Sequence, residues 1–187
     1  FGKVLWKVAP PGFSLAFATV GYGTLTAFIA LYYSARGGEG AAGCLSAFAF
    51  AFIATRLVSR DLVNRVGGYR VALACLAVEI LGLMMLWLAE TPSGALAGSA
   101  LTGCGLSLLY PALGVAVVAR VGEASRSSGL SVFAMFFDLA LGMSGLVMGG
   151  LASWIGLQNV FLGAALVAVG SLSIVWALRL QELRAAN

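Results

Sequence analysis

Glu79 and Asp138 are carboxylates in places where carboxylates are rare. Glu79 lies nine residues past Arg70, and Asp138 about ten residues past Ser128, each inside a long apolar run. If those runs are helices crossing a bilayer, 1.5 Å per residue puts both carboxyls ~14 to 15 Å deep, near the midplane. A charge at that depth costs at least ~2.5 kcal/mol, so each carboxyl must be protonated, paired or facing water. The chemistry on offer is proton exchange. A group that cycles between its two forms can couple a proton gradient to the movement of something else.

Other chemistries lose their usual groups. The chain contains no His, which removes the commonest general base and metal ligand. No Ser-Lys or paired-Asp arrangement stands at helical spacing within an apolar run, so an intramembrane enzyme is not expected. Cys44, Cys75 and Cys104 all fall inside apolar segments, where a small polarisable side chain packs well. Neither a metal site, a cofactor site nor a disulfide is expected.

The elements that must hold the two acids are read from composition. Hydrophobic residues make up 61% of the 187 and charged ones 10%, against roughly 25% charged in an ordinary soluble domain. At about 20 apolar residues per span plus short connections, the chain has room for six spanning helices and no sizeable extramembrane domain. The apolar runs predict spans at about Pro10 to Tyr33, Ala41 to Val58, Tyr69 to Leu88, Ser93 to Val118, Ser128 to Ser153 and Gln158 to Leu178. The expected class is an all-α integral membrane protein, residues 1–187 forming one six-helix bundle embedded in lipid. The chain starts at Phe1 without an initiator Met and reads as a fragment.

Ten of the eleven basic residues fall at the N-terminus, in the second and fourth connections or in the tail, and only Arg36 falls on the other side. Basic residues flanking spans are held in the cytoplasm, so both termini are expected there, in a cell membrane. Scattered singly between apolar runs, these charges set topology rather than bind nucleic acid. Glycine is frequent, with 25 in all, as suits close helix approach and local bending. Gly21-Tyr22-Gly23 in the first span and Gly103-Cys104-Gly105 in the fourth sit at matching places, which predicts a 3+3 inverted repeat.

The connection Arg60-Asp61-Leu62-Val63-Asn64-Arg65-Val66-Gly67-Gly68-Tyr69-Arg70 resembles the signature loop of the major facilitator superfamily. In that loop a Gly, an Asp-Arg pair, a Gly and further basic residues join the second and third helices of each six-helix half. Arg65, Gly67 and Arg70 match; Arg60 stands at the Gly position and Asn64 replaces the Asp, as is common in the second half of such transporters. Asp61, Asn64, Arg65, Gly67 and Arg70 either form a latch that holds a neighbouring helix end, or serve as topogenic charge and a tight turn. The segments Val4-Leu5-Trp6-Lys7, Leu109-Tyr110-Pro111-Ala112-Leu113-Gly114, Arg126-Ser127-Ser128-Gly129 and Phe137-Asp138-Leu139-Ala140-Leu141-Gly142 are similar to the C-terminal half of bacterial efflux-permease-type facilitators.

The resemblance implies one half of a facilitator fold, with a small-molecule substrate bound between the halves and alternating access as the mechanism. The partner is then the missing N-terminal six-helix half or a second copy. It further implies that the first, second, fourth and fifth helices border the cavity. On that basis Asp138 is the preferred proton-coupling candidate, against a structural bond to a neighbouring helix, and Glu79, on an outer helix, is the second candidate, read first as structural and held by a hydroxyl or a backbone carbonyl. Tyr22, Thr24, Thr26, Ser107 and Tyr110 are the cavity-lining candidates. Trp6, Tyr32, Tyr33 and Trp154, near helix ends, read as interfacial anchors. The alternative function is a non-transporting scaffold or assembly subunit, in which the two acids and the loop would be idle.

Overall fold

The computed structural model describes residues 2–35, 40–59 and 61–185. Arg36, Glu39 and Arg60 lie outside the described residues. Among those described, every regular element is helical: α1 (Gly2–Ala35), α2 (Ala41–Val58), the short α3 (Leu62–Val66), α4 (Gly68–Leu88), α5 (Pro92–Ser107), α6 (Leu109–Val121), a 3₁₀ turn (Glu123–Ser125), α7 (Arg126–Ile155) and α8 (Asn159–Ala185). α5 and α6 together make one crossing, which leaves six segments long and apolar enough to span a bilayer.

Local chemistry sets the boundaries. Thr91 caps α5 by accepting a hydrogen bond from the Gly94 backbone N–H at 3.3 Å, with Pro92 in the first turn, where a missing N–H costs nothing. Gly67 separates α3 from α4 at φ 97°, a conformation that L side chains avoid. The first helix starts eight residues before the expected Pro10. Pro10 and Pro11 lie inside α1, and the carbonyls they leave free, at Trp6 and Lys7, sit in its exposed first turns, where water can bond them.

The packing obeys a two-fold rule. α1 lies against α7 and α8, α5 lies against α2 and α4, α4 meets α8, and α1 meets the α5–α6 crossing. Exchanging the first three spans for the last three maps this set of contacts onto itself, as an inverted repeat requires. Glycines make the closest crossings. A Cβ on Gly82 of α4 would stand 2.5 Å from the Thr102 backbone N of α5, and one on Gly98 would stand 2.9 Å from the Gly82 carbonyl. On the α1–α8 side, Ser14 and Ser171 pair their hydroxyls at 2.8 Å.

α2 buries only Cys44 and Phe48, and α7 is mostly exposed along its 30 residues, whereas α1, α4 and α5 form the core. Tyr32 and Tyr33 are buried rather than interfacial. Tyr32 donates to the Ala89 carbonyl and packs edge-on against Phe161, so its hydroxyl is satisfied inside the bundle. Trp6 and Trp154 are over 80% exposed, as anchors should be.

Candidate functional site

The site starts from a proline. Pro111 has no N–H to give the carbonyl four residues back, so Ser107 is left with a free acceptor, and the fourth span breaks there into α5 and α6. Two side-chain bonds join α2 to the break, and one of them satisfies the freed carbonyl. Arg56 of α2 donates from Nη1 to the Ser107 carbonyl at 3.4 Å, and the Ser107 hydroxyl donates to the Phe52 carbonyl, one turn before Arg56, at 2.7 Å. The last turn of α2 is thereby tied to the break in the neighbouring span.

Above this tie opens a cavity of about 510 Å³. α1 contributes Leu15 and Tyr22 to its wall, α2 Phe48, Phe52, Ile53 and Arg56, the α5–α6 crossing Leu106 and Tyr110, and α7 Phe137. These are the first, second, fourth and fifth spans. Tyr22 and Phe48 stack at 5.1 Å with ring planes 14° apart, and Phe52 continues the stack beyond Phe48 at 6.1 Å. Across the cavity Tyr110 meets Phe137 edge-on at 6.0 Å. The wall is aromatic and flat on one side, with a single guanidinium at the break. On the other side of that guanidinium, Arg56, Asn64, Leu108 and Pro111 line a second cleft of about 260 Å³.

The two acids differ sharply. Glu79 is fully buried where α4 crosses α1 and α5, and neither carboxyl oxygen has a hydrogen-bond partner among the described residues. Glycines make room for it. A Cβ on Gly21 would stand 2.7 Å from Glu79 Oε1, and one on Gly105 2.5 Å from the Glu79 backbone N. Asp138 is exposed on α7 and makes no ion pair or hydrogen bond among the described residues. Phe136 packs on Gly12 of α1 while Glu79 reaches Gly21, so Asp138 sits roughly 10 Å nearer the basic end of the bundle than Glu79, at 1.5 Å per residue, and the two do not share one depth near the midplane as their distances from Arg70 and Ser128 predict.

Arg65 of the signature-like loop pairs with Asp61 of its own turn at 3.9 Å, both side chains more than 70% exposed. Arg70, Asn64 and Gly67 are exposed as well. The contacts from this loop to a neighbouring helix come from residues outside the expected set. Arg120 at the end of α6 donates from Nε to the Tyr69 hydroxyl at 3.2 Å, and Gly68 packs so tightly that a Cβ there would stand 2.5 Å from the Ala112 carbonyl oxygen.

Of the cavity-lining candidates, Tyr22 and Tyr110 face the cavity. Ser107 is buried beneath it, holding α2 to the break. Thr24 and Thr26 spend their hydroxyls on carbonyls of α1 itself, Val20 and Tyr22 respectively. Arg56, Phe48 and Phe52 are the lining residues that sequence reasoning passed over. The available signal was Pro111, which announces a free carbonyl at Ser107 and hence a need for a donor. No cluster of three or more His, Cys, Asp or Glu side chains gathers among the described residues.

The chain spans about half the length of the curated relatives it matches. An uncharacterized MFS-type transporter of Pseudomonas aeruginosa (strain LESB58) is 45% identical over 184 residues, covering 98% of this chain and 46% of the relative. Another, of Burkholderia mallei (strain SAVP1), is 44% identical over 174 residues, 93% of this chain and 43% of the relative. The fold is shared with a crystal structure of peptide transporter POT in complex with sulfate, at a TM-score of 0.78 and 22% identity over 92% of this chain and 37% of that one. An auto-inhibited POT family peptide transporter matches at a TM-score of 0.75 and 15% identity, over 95% of this chain and 37% of that one. The family model described as Major Facilitator Superfamily matches residues 11–186, so this multi-pass membrane chain belongs to the major facilitator superfamily.

Proposed function

We propose that residues 1–187 form the C-terminal six-helix half of a secondary active transporter that moves a small molecule by alternating access, coupled to protons, and that performs no catalysis. The observation that carries this reading is the cavity: its wall comes from the first, second, fourth and fifth spans, and its aromatic lining suits a small organic ligand. A second six-helix half supplies the opposite wall. Relatives about twice as long as this chain support that partner.

Asp138 is the coupling group of this reading. It lies on the exposed side of α7 next to the cavity residue Phe137, with no partner among the described residues to hold it in one state. Glu79, enclosed between Gly21 and Gly105, is the packing acid. Both termini lie in the cytoplasm and the membrane is the inner one. A cysteine introduced at Thr91 should then react with an impermeant thiol reagent added outside, and one at Asn64 should not.

The test uses everted vesicles containing the complete transporter and a panel of labelled small organic solutes. At least one solute should accumulate when a pH gradient is imposed and leak away when the gradient is collapsed. Asp138→Asn, which keeps the size but cannot ionise, should abolish accumulation while sparing solute exchange. Full accumulation in Asp138→Asn removes this residue from the coupling. A complete protein that moves nothing on the panel but binds a membrane partner points to the scaffold reading.

A further inference from the structure

We propose that the cavity binds an amphiphilic organic anion, with an apolar ring system among Phe52, Ile53, Tyr110 and Phe137 and its anionic group on the Arg56 guanidinium. The inference rests on the transporter reading above and specifies its substrate class. It begins with the direction of Arg56. Side chains on a helix lean toward its N-terminus, and Arg56 stands in the last turn of α2, so its head is carried back along α2 to the Ser107 carbonyl while the residue as a whole stays exposed. An arginine that only set topology would snorkel the other way, toward the basic end.

The contact with the Ser107 carbonyl fixes the depth. Ser107 is two residues beyond Gly105, which packs on the Glu79 backbone. At 1.5 Å per residue, the carbonyl is about 3 Å along the axis from the level of the buried acid. A guanidinium has five N–H donors. The Ser107 carbonyl takes one of them, and no carboxylate among the described residues lies within ion-pair distance of Arg56.

The fixed charge on the cavity wall is therefore one positive group. Glu79 lies behind Gly21 and Gly105, and Asp138 is absent from the lining. An aromatic slot with one uncompensated guanidinium is complementary to an anion with a planar apolar body, because a guanidinium bonds carboxylate, sulfonate or phosphate oxygens in bidentate fashion. A cation would meet repulsion there. A neutral ring would gain the stacking and leave the donors unused.

The test is direct binding to the full chain in nanodiscs of zwitterionic lipid, with empty nanodiscs subtracted. The probes are 2-naphthoate, 2-naphthylmethanol and 2-naphthylmethylamine, which share a ring and differ in charge. The naphthoate should bind about tenfold tighter than either of the others, or more. Arg56→Gln should erase that preference with little change for the alcohol, Arg56→Lys should keep part of it, and Arg56→Glu should shift it to the amine. Arg184→Gln, on exposed α8 surface, controls for overall charge and should leave the preference intact. A preference for the anion that survives Arg56→Gln overturns the proposal. Tightest binding of the amine to the unmodified chain overturns it too, while leaving the transporter reading in place. If none of the three binds a chain that melts cooperatively, both the anion site and the cavity as a substrate site are lost.

Discussion

Glu79 breaks the usual expectation for a buried acid. Removing one partner of a buried hydrogen bond normally strands the other, at about 1–3 kcal/mol. Here both carboxyl oxygens are already without partners among the described residues, so nothing there is stranded when they go. Glu79→Met, of similar length and flexible enough to fill the gap, should hold the melting temperature of the purified chain or raise it. A drop would reveal a partner for the carboxyl and overturn this account. Gly105→Ala is the opposite case. Its Cβ would meet the Glu79 backbone N at 2.5 Å and the Cys75 carbonyl at 2.6 Å, backbone atoms that cannot turn aside, and overpacking of that kind costs about 1–3 kcal/mol. At this scale the sequence was partly legible. Depth alone marked both acids, because carboxylates inside apolar runs are rare. It could not tell the enclosed one from the exposed one, which depends on which faces α4 and α7 turn inward. Arg56 was hidden for a related reason: among flanking arginines nothing local separates the one that turns back into the bundle from those that point to water.

The elements themselves were readable because lipid imposes one rule on all of them, about 20 apolar residues per crossing. The middle of the fourth crossing was not, since its apolar run continues through Ser107 and Leu108 without a change of period. What breaks it is the absence of a single N–H at Pro111, and what makes the break tolerable is one donor brought in by α2, the Arg56 guanidinium on the Ser107 carbonyl, while the Ser107 hydroxyl donates back to the Phe52 carbonyl of α2. The two halves of this device are about fifty residues apart in sequence. Pro111→Ala restores the missing donor. The backbone N–H of residue 111 should then bond the Ser107 carbonyl, α5 and α6 should merge, and Arg56 should be displaced from its acceptor. Amide hydrogen exchange checks this: residues 108–112 should exchange more slowly in Pro111→Ala than in the unmodified chain. Unchanged exchange would mean that the break is held by side-chain packing rather than by the proline. The first helix shows the same rule from its other side, since Pro10 and Pro11 do not end α1 where water can reach the carbonyls they release.

At the scale of the whole molecule, the exposed surface sorts into two kinds. Most of it carries large apolar side chains, such as Leu81, Leu146, Leu166 and Trp176, all more than half exposed, as a lipid-facing surface should. One stripe of α7 is different. Ser131, Asp138, Gly142, Gly145 and Gly149 recur at spacings of seven, four, three and four, which keeps them on one face of a helix. Added Cβ atoms on Gly142 and Gly145 would meet nothing within 4 Å. Glycines that bring helices together elsewhere in this bundle, such as Gly82, Gly103 and Gly105, meet backbone of a neighbouring helix, whereas these two meet nothing among the described residues, and lipid gains little from small residues. A helix from outside the chain, approaching closely, would use them. The stripe runs beside Phe137 at the edge of the cavity, where a second half must stand if it is to close the opposite wall. Gly142→Leu combined with Gly145→Leu should therefore leave the chain's own melt unchanged or slightly raised, because glycine is the poorer helix former by up to about 1 kcal/mol. The same pair should abolish co-purification with the other six-helix half expressed as a separate chain. Co-purification at the unmodified level would show that the halves meet elsewhere, and loss of a chemically crosslinked homodimer in its place would assign the stripe to a second copy of this chain.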